Sequence, residues 1–451
     1  MPVLRGRARR NLRRSLPSML CCQGYEFVAG GESAFEVDAA RLAYGSGVLR
    51  EAGSHAKDHG MRRVALFTDK TVAKLEPVST VSAALRDAGL DVAIFDQTQI
   101  EPSDASFRDA IDFARDGRFD GFVSVGGGSV IDTAKAANLY ATHPDEFSAY
   151  VNAPLGEGKP VPGPLRPHIA CPTTSGTGSE VTGIAIFDFL EHRAKTGIAS
   201  KRLRPSFALV DPECALSLPK TVVACSGFDV LSHALESYTA LPYTHRKKST
   251  GPRPMSQGAN PFSDIACVEA MRILGSFIVR AVADASDGEA RERMMFAATL
   301  AGIGFGNAGV HVPHAMAYAV GGLVREYRAP DYPPDHAIVP HGMAVIVNTP
   351  AVVRFTASTA PERHLTAARL LGADVAGAAP ADAGGLLAHR IEALMRATGM
   401  PDGIGGVGFT GDDVAALRDG AAPQKRLLAN APREVGPPEL ERLFGAALRY
   451  W

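Results

Sequence analysis

The chain is poor in paired cysteine, in lysine and in long apolar runs, and each shortage excludes something. Its six cysteines (Cys21, Cys22, Cys171, Cys214, Cys225 and Cys267) are scattered, with no Cys-x-x-Cys pair. That usage fits a reducing compartment and argues against a disulfide framework. No run approaches the roughly 20 apolar residues of a membrane-spanning helix, so no membrane partner is expected. Net charge is only -1 at pH 7, which removes any global reason to expect nucleic acid as a partner. What is present is 451 residues with 46% hydrophobic content, enough for two or three domains and a large core.

Of the 47 basic residues only 11 are lysine. Six arginines (Arg5, Arg7, Arg9, Arg10, Arg13 and Arg14) precede the first acid, Glu26. The Arg, Ala, Gly and Pro bias throughout is what a GC-rich bacterial genome imposes, so residues 1–33 read as a disordered basic leader of a cytoplasmic protein. A mitochondrial presequence is the alternative.

From about 34 to 215, short β-branched runs alternate with amphipathic segments. Strands are expected at 64–68, 92–95, 122–125, 168–171 and 207–210, and helices near 48–59, 78–89, 105–116 and 129–142. A Pro/Gly-rich loop follows at 143–167. This alternation predicts an α/β domain with a parallel sheet. Strand signals fade beyond a boundary near 211–221. The remainder, 216–451, reads as all-α, with helices near 223–240, 264–284, 288–303, 341–357, 362–372, 380–398 and 437–448.

Two glycine-rich turns follow strands in the first half. Gly126-Gly127-Gly128-Ser129, with Asp132 close behind, joins a strand to a helix start. Backbone N–H groups can approach an anion closely there, favoured by the helix dipole, with Ser129 as N-cap and phosphate donor. The pattern is not the Gly-x-Gly-x-x-Gly fingerprint of an ordinary Rossmann turn. Pro172-Thr-Thr-Ser-Gly-Thr-Gly-Ser-Glu180 offers hydroxyls and glycines able to wrap a dinucleotide. Asp69, just past a strand, suits the adenosine ribose 2′-OH and favours NAD over NADP.

In the helical half, Asp229 and His233 stand at i, i+4 and so share a helix face. His314 and His341 come from separate segments. Residues such as Val230, Leu231, Val312 and Met316 surround them, and burying such polar groups is costly unless something pairs with them. One carboxylate and three imidazoles form a donor set for one divalent metal, iron or zinc. His311 is the competing ligand.

These motifs together resemble the iron-containing (group III) alcohol dehydrogenase family, and the match runs from about residue 34 onward. The resemblance implies a catalytic metal between a dinucleotide domain and a helical domain, with Fe²⁺ preferred over Zn²⁺. Asp229, His233, His314 and His341 match the metal ligands. Asp69, Gly127, Gly128, Ser129, Thr173, Thr174, Thr177, Ser179 and Lys195 match cofactor-contacting positions, and Gly126 and Asp132 belong to the same motif. Segments 34–38, 135–140, 235–243, 258–264, 301–311 and 329–332 look like the hydroxyacid-oxoacid transhydrogenase subgroup. That subgroup oxidises 4-hydroxybutyrate while reducing 2-oxoglutarate, with NAD bound. One departure is Tyr318, which stands where many members of the wider family carry a second histidine.

Small carboxylates are therefore the expected substrates, and a homodimer the expected assembly. Between Glu236 and Asp264 there is no acid, while Arg246, Lys247, Lys248 and Arg253 cluster there. This loop is expected to reach the cleft mouth and draw carboxylates in.

Overall fold

A computed structural model of the chain describes residues 25–192, 194–333 and 336–451. Six strands form one wholly parallel sheet: β1 (Arg41–Tyr44), β2 (Arg63–Phe67), β3 (Asp91–Phe95), β4 (Gly121–Gly126), β5 (His168–Pro172) and, last in the chain, β8 (Phe207–Val210). Their order is β1-β8-β5-β4-β2-β3. Between them β6 (Ile184–Phe189) and β7 (Ala194–Ala199) pair antiparallel as a separate hairpin. Helices cover the sheet because β4, β5 and β8 are buried along their whole length, as parallel strands with both faces covered must be.

The chain runs outward from β2 to β3 and then returns to place β4 on the other side of β2. The order therefore reverses between β2 and β4, and a crevice opens at their carboxyl ends. Asp69 follows β2, the glycine turn follows β4, and Thr173 follows β5, so the three predicted phosphate and ribose segments emerge side by side. Part of the crevice's lining comes from the second half of the chain, including Ser226, Asp229 and His341.

The sheet ends at Val210 and helices begin at Lys220. The helical half packs around its own apolar cluster, which includes Leu231, Ile278, Met316 and Ile391. Several helical readings change, and short helices at Phe147–Tyr150, Val414–Ala421 and Lys425–Leu428 stand where none was expected. The expected helix 341–357 is two pieces, His341–Ile346 and Thr349–Thr356, with Pro350 inside the first turn of the second. Proline tolerates only that position because it lacks an N–H. The short Val312–Gly322 helix, not expected, carries His314.

Residues 1–24 lie outside the described residues. The leader expected at 1–33 nevertheless needs correction over 25–33. Tyr25 Oη donates to Asp264 Oδ2 at 2.7 Å, and Gly31 pairs with Lys247. Aromatic contact with Tyr243 and the buried Glu32 hold this stretch on the helical half.

Two buried histidines away from any site set an acid limit on stability. His168 at the start of β5 shares a 2.8 Å hydrogen bond with Ser124, and burial pushes its pKa down to about 3. His364 is pushed down to about 4, again by burial. Each is neutral when folded yet binds a proton when unfolded below about pH 6.5. Their contribution is full above that pH and is lost as pH falls towards 4, at about 1.4 kcal/mol per unit for each histidine. His168→Gln should flatten the slope of unfolding free energy between pH 6 and 4 by about one histidine's share, read by denaturant titration at each pH. An unchanged slope would count against this.

Candidate metal centre and dinucleotide groove

Asp229 and His233 lie one turn apart on the buried Lys220–Thr239 helix. His314 is in the first turn of the Val312–Gly322 helix, and His341 opens the His341–Ile346 helix after Pro340. Their nitrogens converge on one carboxylate oxygen. His233 Nε2 lies 3.7 Å from Asp229 Oδ1, and His314 Nε2 and His341 Nε2 each lie 3.8 Å from it. One donor atom from each residue fits within 4.8 Å of the others. Gly342 allows this approach: a Cβ there would sit 2.0 Å from the Cys225 carbonyl oxygen and 2.9 Å from Asp229 Cβ.

The residues fit a divalent cation. Asp229 Oδ1 and His314 Nε2 are buried without a hydrogen-bond partner, which is costly unless something else pairs with them. Burial drives the Asp229 carboxyl up to about 7. Burial and the neighbouring His314 take His341 down to about 3, and His233 is also lowered, by burial first. His314 differs, raised despite its burial by the adjoining Glu236, so metal binding there displaces a proton, since imidazoles bind metal in the neutral form.

Two acids that sequence reasoning did not single out hold the ligands in place. Glu236 Oε1 lies 2.6 Å from His314 Nδ1, and its other oxygen accepts the His311 N–H at 2.7 Å. A proton on Nδ1 leaves Nε2 free to face the cluster. Glu101 has a left-handed backbone (φ 52°), accepts the His341 N–H at 3.2 Å, and pairs with Lys195 at 2.8 Å. The ring of His233 stacks on Phe305 at 4.0 Å. His311 stays out of the cluster, with its Nε2 3.1 Å from Thr239 Oγ1. Glu236→Gln should weaken metal affinity about 10–100-fold without abolishing it, as measured by metal titration. Unaltered affinity would show that the carboxylate does not orient His314.

A cleft of about 670 Å³ runs from the sheet edge to this cluster, lined by Asp69, Gly127, Gly128, Ser129, Thr173, Thr174 and Thr177 among others. Asp69 Oδ1 accepts the N–H groups of Thr71 and Val72, which fixes its carboxylate at the rim. Glu101, Gly128, Ser129, Thr177, Asp229 and His341 also line a smaller adjoining cavity, so groove and cluster share a wall.

Other expected contacts are placed differently. Gly126 does not line the groove, and a Cβ there would strike Val130 at 2.5 Å, so its role is strand-to-helix packing. Gly127 is the N-cap, and Ser129 lies inside the helix, its Oγ accepting the Glu101 N–H. Asp132 and Ser179 bond to each other and to buried Lys135, and Asp132 also accepts the Ile186 N–H. They tie the β6–β7 hairpin down beside the smaller cavity and stand outside the groove. Lys195 is buried in ion pairs with Glu101 and Asp188 (2.8 and 3.0 Å) and lines neither space.

Comparison with known proteins agrees with this two-part layout. Residues 39–212 match the iron-containing alcohol dehydrogenase family, and residues 254–448 match the C-terminal part of the Fe-containing alcohol dehydrogenase family. The chain belongs to the iron-containing alcohol dehydrogenase family. Within it, the chain is 49% identical over 422 residues to a hydroxyacid-oxoacid transhydrogenase, mitochondrial, of Xenopus laevis, covering 93% of this chain and 91% of that one. The Homo sapiens protein of that name is 47% identical, with 93% and 90% covered. Among solved structures, a 1,3-propanediol oxidoreductase superposes with TM-score 0.80 at 30% identity, covering 92% of this chain and 100% of that one. A sulfoacetaldehyde reductase from Bifidobacterium kashiwanohense, in complex with NAD+, gives 0.75 at 25% identity, with 92% and 99% covered.

In this member of the family the loop reaches the smaller cavity through Ser256, but its basic side chains do not. Arg246 donates to Ser256 O (2.9 Å) and Asn430 Oδ1 (2.7 Å), and Arg253 donates to Ala34 O and Glu32. The Lys248 N–H bonds Gly30 O, so the loop is spent on the 25–33 segment. None of Arg246, Lys247, Lys248 and Arg253 lines either space. Tyr318 does line the smaller cavity, its ring 6.2 Å from that of His341, and burial raises its pKa.

Proposed function

We propose that this chain is a hydroxyacid-oxoacid transhydrogenase that oxidises 4-hydroxybutyrate to succinate semialdehyde and reduces 2-oxoglutarate to 2-hydroxyglutarate. One hydride and one proton leave the hydroxyacid, and one of each is returned to the oxoacid, so the pair of half-reactions releases no net proton. The observation that carries this reading is the shared wall between the dinucleotide groove and the Asp229/His233/His314/His341 cluster. The 47–49% identity to transhydrogenases over 93% of the chain supports it. The four ligands would hold iron, and the groove NAD; when bound, these supply Lewis acidity at the substrate oxygen and a hydride carrier.

The chain's own residues do the rest. Gly127 and Gly128 bring backbone close to the dinucleotide phosphates. Glu236 fixes the His314 imidazole, and Glu101 holds the backbone of His341. Phe305, Ile184, Ile186 and Val310 line the smaller cavity with apolar surface that limits water. Burial keeps the Tyr318 phenol protonated, leaving it a hydrogen-bond donor at the cavity wall.

The test is to incubate purified protein with 4-hydroxybutyrate, deuterated at C4, and 2-oxoglutarate, with no added NAD. Label should appear at C2 of 2-hydroxyglutarate. A strict need for added NAD, with NADH released in step with turnover, would instead establish a dehydrogenase with dissociable cofactor. The relatives' printed names include a mitochondrial location, which supports the presequence reading of the basic N-terminus over a cytoplasmic one. A homodimer is part of the same proposal, open to light scattering.

A further inference from the structure

The smaller cavity is lined both by the ligand cluster and by the apolar side chains of Ile184, Ile186, Phe305 and Val310. Apart from the ligand Asp229, its carboxylates are already matched. Glu101 is paired with Lys195, and Asp132 is held by Ser179, Lys135 and the Ile186 N–H. Its one guanidinium is different. Arg426 lines this cavity, is exposed, and faces no carboxylate within ion-pair distance among the described residues. Its recorded side-chain contact is long, 3.4 Å from Nη1 to Ser256 Oγ, so nearly all of its five N–H donors remain available.

The backbone beneath Arg426 is not loose. Leu427 is buried against Ala315 and against Phe305, Val310 and Tyr318, three side chains that wall the cavity. On one side Gln424 Nε2 donates to the Lys195 carbonyl at 3.2 Å. On the other, Asn430 Nδ2 donates to Ala308 O and Val310 O at 3.1 Å each, and its oxygen accepts from Arg246. Arg246 therefore enters the site's architecture indirectly: it clamps Ser256 and Asn430, which flank Arg426.

Resting on the functional reading above, we propose that Arg426 is the carboxylate anchor of the substrate site, holding the carboxylate remote from the reacting carbon. The ligands at one end take a hydroxyl or oxo group, the apolar stretch takes methylenes, and the guanidinium at the open end pairs with a carboxylate through two parallel hydrogen bonds. This selects unbranched chains with a carboxylate at one end and the reacting carbon at the other. For 4-hydroxybutyrate that is its only carboxylate, and for 2-oxoglutarate the one farther from the ketone.

The experiment uses metal- and NAD-loaded enzyme with Arg426→Gln and Arg426→Lys. Arg426 is exposed, so both variants should fold, as melting temperature will report. Arg426→Gln should raise KM for 4-hydroxybutyrate and for 2-oxoglutarate about 10–100-fold, the range for loss of a charge-assisted pair, with kcat changing far less. The inhibition constant of succinate, a non-reacting dicarboxylate, should rise in parallel, whereas turnover of neutral 1-butanol with a neutral aldehyde as the hydride acceptor should stay the same or improve. Arg426→Lys should fall between, keeping charge but losing the fork. If wild type uses the hydroxyacid and Arg426→Gln keeps both KM values and the succinate constant, the anchor is overturned and the functional reading stands. If wild type takes 1-butanol as readily as 4-hydroxybutyrate, both fall together.

Discussion

His341→Ala and His233→Ala should each lose bound metal and lower turnover by about 10³ or more, the scale expected when a Lewis acid contributing several kcal/mol is removed. Both histidines point at one carboxylate oxygen, at 3.8 and 3.7 Å. Losing either leaves three donors and an open side. The two variants should differ in stability. The His341 side chain is 23% exposed, so its truncation leaves little cavity. His233 is buried and stacked on Phe305, and its removal also costs packing. His341→Ala is therefore the cleaner test, with metal content by elemental analysis and activity measured on the same sample. Full metal occupancy in either variant would falsify the ligand assignment. Metal added to wild-type apoprotein should raise its melting temperature in a concentration-dependent way, since the folded site binds and the unfolded chain does not. In His341→Ala that rise should be largely lost.

Gly127→Val should abolish NAD binding while leaving fold and metal intact. The backbone at Gly127 is extended (φ -73°), a conformation valine adopts freely, so the substitution imposes no backbone strain. Its effect is spatial. A Cβ at 127 would already lie 3.2 Å from Thr174 Cγ2, and the valine methyls would extend into the groove between the two phosphate-binding segments. Phosphate oxygens would then be held away from the helix N-terminus, where backbone N–H groups and the dipole act only at short range. Isothermal titration with NAD should show no saturable binding, while metal content and melting temperature match wild type. NAD affinity equal to wild type in that variant would mean that the phosphates sit elsewhere. Gly128 is a poorer probe, because a Cβ there would strike Thr177 at 2.5 Å and confound packing with binding.

What was legible in the sequence was whatever broke a local rule. Asp229, His233 and His314 are polar residues set among apolar neighbours, and burying them uncompensated would be costly, so a metal was the economical explanation. The glycine turn at 126–128 interrupts a strand-to-helix step at the point where an anion binds. Residues that obey local rules were not legible. Glu236 in a helix reads as an ordinary exposed acid, and only the fold brings its carboxylate to His314. Glu101 sits in a loop with no motif around it. Conversely, Arg246, Lys247, Lys248 and Arg253 promised a steering field in the sequence, yet the ordered 25–33 segment and the clamp on Ser256 and Asn430 consume that loop. The hairpin of β6 and β7 is not legible from the strand–helix alternation, because neither strand joins the parallel sheet.

Hydrophobic period, a property of neighbouring residues, by itself determined an α/β half and a helical half, while glycine placement and polar residues in apolar segments pointed to a candidate phosphate turn and four candidate metal donors. Tertiary structure alone decided which side chains meet across separations of 47 to 240 residues: Glu101 with Lys195 and His341, Asp132 with Ser179 and the hairpin, and Arg426 with the cavity of the metal ligands. Those meetings depend on where helices cross and how closely they approach, as Gly342 does against Cys225. Such distances are set by packing between remote segments, for which a linear sequence carries no local signal.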